Sequence, residues 1–132
     1  MALQSAFKLD YRAAAAIAGA DAPFFTAPVD RGSLQVELYR PVRVDLQQPH
    51  SRDECYVVTE GSGKFEMSDE TVPFAEGDFL FVAAGVPHRF TEFGDSMTCW
   101  VLFYGPEGWY QRLCNGVAGD PHRRGCRGKR RG

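Results

Sequence analysis

The feature that most constrains this chain is a rhythm. From Gly32 onward, short runs of β-branched and aromatic residues alternate with turn signals every eight to twelve residues or so. The runs fall at 33–39, 42–46, 54–59, 63–67, 71–74, 79–82, 88–93 and 97–104. Between them sit turn formers such as Gly61-Ser62-Gly63, Glu76-Gly77-Asp78, Gly85-Val86-Pro87 and Gly94-Asp95-Ser96. A parallel sheet needs long crossover connections, and the spacing leaves no room for them. Eight short strands with tight turns therefore predict an all-β antiparallel sandwich or barrel. Ten Phe, five Tyr and two Trp in 132 residues fit a sheet better than a helix bundle.

The length fits one domain. Residues 1–31 read as a lead-in, with two helical turns over 11–18 and an extended or turning stretch around Pro23 and Pro28. Residues 32–106 form the barrel core and 107–120 a C-terminal extension, with a helical turn at 108–113. Residues 121–132 form a basic tail predicted to be disordered.

The tail holds six basic residues and no acid, against nine basic and seventeen acidic residues in the rest. A basic tail can meet phosphates, but the acidic body repels the same polyanion, so nucleic acid is an unfavoured partner. No apolar run approaches the roughly 20 residues of a membrane span, and no secretory leader is evident. The chain is accordingly expected in the cytoplasm, with no membrane partner. Cys55, Cys99, Cys114 and Cys126 form no CxxC pair and are expected as free thiols.

Two clusters carry chemistry. In Gln48-Pro49-His50-Ser51-Arg52-Asp53-Glu54, a continuous strand would hold His50 and Glu54 about 13 Å apart, too far to share an ion. A reversal at Ser51-Arg52-Asp53 would let the two face each other across a hairpin. Gln48 lies two residues before His50, on the same face. In the second cluster, His88 follows Gly85-Val86-Pro87 and opens a strand. Two imidazoles and one carboxylate make a facial triad with open positions, suited to Fe(II) and also to Mn, Ni or Zn.

These clusters resemble the two motifs of the cupin superfamily, in particular its small single-domain bacterial members. His50, three residues, Glu54, six residues and Gly61 match the second half of the motif G-x5-H-x-H-x(3,4)-E-x6-G. Gly77, Gly85 and His88 stand at the spacing of G-x5-P-x-G-x2-H-x3-N. Gln48 replaces the first motif's first His, Ala83 the second motif's Pro and Glu92 its Asn. The resemblance implies a jelly-roll type antiparallel barrel, one divalent metal ion in its mouth held by His50, Glu54 and His88, and a homodimer. Gln48 is then a weak fourth ligand or a group that bonds to a metal-bound molecule. Glu92 is a weak candidate for an acid or base, against the plainer role of an exposed carboxylate.

Parity places Tyr56 and Val58 inside with Glu54, and Phe90 inside with His88. Tyr56, Phe90 and Trp100 are candidates for a pocket wall, though such aromatics also fill small barrels as core. The leading function is a metal-dependent enzyme on a small organic molecule, of dioxygenase, isomerase or lyase type. The alternative is a non-catalytic metal- or ligand-binding sensor. Strand 33–39, with Leu34, Val36 and Leu38 on one face, is expected at a sheet edge where a second copy could pair, unless the lead-in covers it.

Overall fold

The computed structural model describes residues 6–19, 22–29 and 31–105. The 108–113 turn, the basic tail, Cys114 and Cys126 lie outside these residues.

The chain begins with helix α1 (Tyr11–Ile17), whose first turn is capped by the Asp10 carboxylate accepting from the Arg12 N–H. Eight strands follow: β1 (Phe24–Thr26), β2 (Gln35–Tyr39), β3 (Asp53–Glu60), β4 (Gly63–Met67), β5 (Glu70–Phe74), β6 (Phe79–Val82), β7 (His88–Thr91) and β8 (Thr98–Tyr104). They build two antiparallel sheets, one in the order β1-β2-β8-β3-β6 and one in the order β5-β4-β7. Alternation along β3 and β8 sends Tyr56, Val58, Cys99, Val101 and Phe103 inward. They meet Phe65, Phe74 and Phe90 from the smaller sheet in one core. The rings of Tyr56, Phe65 and Phe90 pack edge-on or tilted, with centroids 4.7–5.8 Å apart.

Strand β2 departs from expectation twice. It is not an edge, because β1 from the lead-in pairs with it on one side and β8 on the other. The edge-pairing argument for a second copy therefore fails at this strand, and the lead-in takes that place. Its faces are also the reverse of a simple hydrophobic-in pattern. Gln35, Glu37 and Tyr39 stand opposite Phe103, Val101 and Cys99, so they point into the barrel. Leu38 points outward and is buried against Ala14 and Ala15 of α1. The helix supplies the apolar cover, which frees the inner face of β2 for polar groups.

The run 42–46 is not a strand. It touches the sheet only through a bridge from Val42 to Ser96. Arg43 takes a left-handed backbone angle, φ 66°, and its N–H bonds to the Asp95 carbonyl at 2.7 Å. The period-two alternation there belongs to a loop that lays Val42, Val44 and Leu46 on the surface and turns Asp45 inward.

Gly63 opens β4 where the chain crosses close to the end of β7. A Cβ there would lie 2.6 Å from the Thr91 carbonyl oxygen and 2.8 Å from that of Glu92. Both obstacles are backbone, so neither can rotate away. Gly63→Ala should therefore cost about 1–3 kcal/mol, read as a lower urea midpoint at unchanged slope.

Candidate metal centre

The site lies where β3 and β7, from different sheets, begin. Glu54 occupies the second position of β3, paired with Phe103 of β8 and Val82 of β6. This central place leaves it 1% exposed. His88 is the first residue of β7 and is also buried. The bend at 51–52 reverses the chain before β3, and His50 Nε2 comes within 3.7 Å of Glu54 Oε2. It does so from a loop rather than from a paired hairpin strand.

Two backbone contacts bring the separate sequence clusters together. The Gly85 N–H donates to the His50 carbonyl at 2.7 Å, and the Ala84 N–H to the buried Asp53 carboxylate at 2.8 Å. The turn before His88 is thereby tied to the bend between His50 and Glu54. One donor atom each from His50, Glu54 and His88 then lies within 4.8 Å of the others.

The orientation of His88 follows from its second nitrogen. Nδ1 faces the Val86 carbonyl at 2.8 Å, so that nitrogen carries a proton and Nε2 points at Glu54 Oε1, 2.7 Å away. This is the arrangement by which a carbonyl fixes a ligating imidazole. Tyr56 adds a hydroxyl to the cluster. Its oxygen is 2.9 Å from Glu54 Oε2, 2.9 Å from His88 Nε2 and 2.8 Å from Gln47 Oε1. With one proton for its two oxygen neighbours, it donates to either Glu54 or Gln47 at a time.

Gln47 is itself held by Asp45. That carboxylate, 4% exposed, accepts from the Gln47 backbone N–H at 3.1 Å, from the Gln47 amide and from the Tyr39 hydroxyl. It also accepts from the Phe90 N–H of β7 at 2.9 Å. One buried acid thus pins the 41–52 loop to β2 and to the strand that carries His88.

Gln48 is exposed, and its neighbour Gln47 is the amide that reaches the cluster. Tyr56 and Phe90 are buried in the core, with only the Tyr56 hydroxyl at the site. Trp100 lies on the outer face of its sheet, against Tyr11 of α1, and does not face the cavity. Glu92 is exposed in a turn at φ 52°, away from the cluster. Asp45, Gln47, Glu37 and Tyr39 were not singled out by sequence reasoning. The available signal was the acid set among valines in Val42-Arg43-Val44-Asp45-Leu46.

The cluster opens onto a cavity of about 590 Å³. Val42, Val44, Leu46 and Phe24 form an apolar wall, and Glu37, Tyr39 and Gln47 stand beside His50 and Glu54. Burial raises the Glu37 carboxyl above its ordinary value, partly offset by the Gln35 amide and the nearby His50. Burial, then the Glu54 charge, pushes the Tyr56 hydroxyl well up, so it is a protonated donor in the metal-free cluster. Burial likewise raises the Cys55 and Cys99 thiols, which removes the thiolate a redox role needs.

The donor set fits a divalent ion. Glu54 is a buried carboxylate, and its ion-pair partners among the described residues are the two imidazoles. Such a group calls for a compensating cation. Two imidazoles and a carboxylate from separate segments are the ligand types that first-row metals take.

A model of the cupin domain matches residues 36–104. The chain belongs to the cupin family. A protein from Streptomyces coelicolor is 36% identical over 63 residues, which is 48% of this chain; the chain spans 60% of that relative's length. Among solved structures, a cupin 2 conserved barrel domain protein from Rhodopseudomonas palustris superposes with a TM-score of 0.54 at 16% identity, covering 67% of each chain. A conserved protein from Streptococcus pyogenes gives 0.53 at 20% identity, over 64% of this chain and 74% of its own. Hydroxypropylphosphonic acid epoxidase from S. wedmorenis gives 0.52 at 18% identity, over 62% of this chain and 51% of its own. These likenesses establish the cupin fold.

The His88–Glu54 pair has a pH signature in the metal-free protein. Burial opposes the imidazolium, but the Glu54 carboxylate and the Val86 carbonyl outweigh it and raise the His88 pKa above 6.5. A raised folded pKa gives stability that is complete below the unfolded value and is lost as pH rises through the folded one. The melting temperature of the metal-free cupin should fall as pH rises above 6.5, and His88→Gln should flatten that slope.

Proposed function

We propose that this cupin is a metal-dependent enzyme acting on a small organic molecule, with one divalent ion held by His50, Glu54 and His88. The observation that carries this reading is the convergence of the three donors beside an open cavity that His50 and Glu54 line. When bound, such an ion supplies Lewis acidity or a place for substrate and O₂ side by side.

The chain's own groups prepare that centre. The Val86 carbonyl presents Nε2 of His88 as the donor. Glu54 supplies negative charge from a position that water does not reach. Tyr56 can hold a proton beside Glu54, and its bond to Gln47 connects that proton to the cavity wall. The wall of Val42, Val44 and Leu46 gives a substrate's apolar part a surface to cover.

The test is metal analysis of protein purified without added metal, followed by O₂ uptake and product analysis on a small-molecule panel. One ion per chain is expected. Each of His50→Ala, Glu54→Ala and His88→Ala should lose most of it, while Gln48→Ala keeps it. Equal occupancy in all variants contradicts the assignment. Tightly held metal with no turnover favours a binding or sensor role instead.

A further inference from the structure

Within the cavity, the charged group outside the metal cluster is Glu37. It stands on the inward face of β2, half-buried, opposite Thr26 of β1 and Val101 of β8. Neutral groups hold it: the Gln35 amide donates to Oε2 at 3.2 Å, and the Thr26 hydroxyl at 3.5 Å. The Gln35 amide is oriented in turn, because its oxygen accepts from the Arg52 guanidinium at 2.8 Å. Arg52 itself lies over the Phe103 ring, 5.4 Å from its centre, and is not among the residues lining the cavity. Glu37 lines the same cavity as His50 and Glu54.

The rest of the lining sharpens the contrast. Among the described residues that form the cavity there is no Lys or Arg. An ion on the triad compensates Glu54, which leaves Glu37 as a carboxylate in an apolar chamber. An anionic group placed against Glu37 would meet repulsion, whereas a cation there would gain a charge-assisted bond.

We propose that the cavity selects a small molecule with an apolar body and a protonated amine, and that Glu37 is the residue that recognises the amine. This rests on the reading of the triad as a metal centre, in which Glu54 and the two imidazoles hold the ion and Glu37 stays outside its coordination. Val42, Val44 and Leu46 cover the apolar body.

Isothermal titration of the zinc-loaded protein with benzylamine, benzyl alcohol and benzoate tests this, since the three differ little except in charge. Benzylamine should bind more tightly than benzyl alcohol, and benzoate measures what an anion gains from the zinc itself. Glu37→Gln should weaken benzylamine by about tenfold, the scale of a partly buried charge pair, and leave benzyl alcohol nearly unchanged. Glu37→Asp keeps the charge and should keep the order. An unchanged benzylamine affinity in Glu37→Gln, or an equal loss of all three compounds, overturns the assignment. Zinc content of the same samples separates the two readings. Zinc bound, with benzylamine no tighter than benzyl alcohol or indifferent to Glu37→Gln, overturns the amine assignment alone. No zinc bound, with the amine order and its dependence on Glu37 intact, overturns the metal centre alone.

Discussion

The burial of the Glu54 carboxylate is the constraint on which the site depends. A charge taken from water into a barrel costs several kcal/mol unless it is met by hydrogen bonds and opposite charge. The fold meets it with the Tyr56 hydroxyl at 2.9 Å and the His88 imidazole at 2.7 Å, and holds His50 close by. Glu54 can occupy that position because β3 is flanked by β8 and β6 and cannot shift without breaking both ladders. The buried carboxylate is thus placed on a strand paired on both sides. A divalent ion held there would complete the compensation that the imidazoles begin.

Two further buried acids extend the same logic to the loops. Asp53 is 3% exposed and accepts the Ala84 N–H; Asp45 is 4% exposed and gathers Tyr39, Gln47 and the Phe90 N–H. Each spends a carboxylate on backbone donors that would otherwise be unpaired in the interior. Together they fix the 41–52 loop and the 83–87 turn, the segments that deliver His50 and His88. The candidate metal centre and the architecture around it therefore share one device, a buried acid bonded across segments distant in sequence.

What the sequence made legible was local. The spacing of His50, Glu54 and Gly61, and of Gly77, Gly85 and His88, is set within single strands and turns, so it could be read along the chain. Parity along β3 placed Tyr56 inside for the same reason. What was hidden depends on partners. Alternation in β2 shows two faces but not which one is inside, and the decision is made by α1 covering Leu38. Trp100 faces outward because its neighbours on β8, Cys99, Val101 and Phe103, take the inward face, and the choice between the two faces is made by the packing rather than by a local signal. The 42–46 run reads as a strand until the left-handed turn at Arg43 and the inward acid at Asp45 are seen. The choice of Gln47 over Gln48 follows from that loop's path.

The central claim is that His50, Glu54 and His88 share one ion. Anomalous diffraction from crystals of the cobalt-loaded protein, collected at the cobalt edge, measures this directly. The account predicts one strong peak per chain bonded to His50 Nε2, His88 Nε2 and a Glu54 carboxylate oxygen, each at roughly 2.0–2.2 Å. A peak elsewhere on the molecule, or none at the cluster while cobalt is bound in solution, would contradict it.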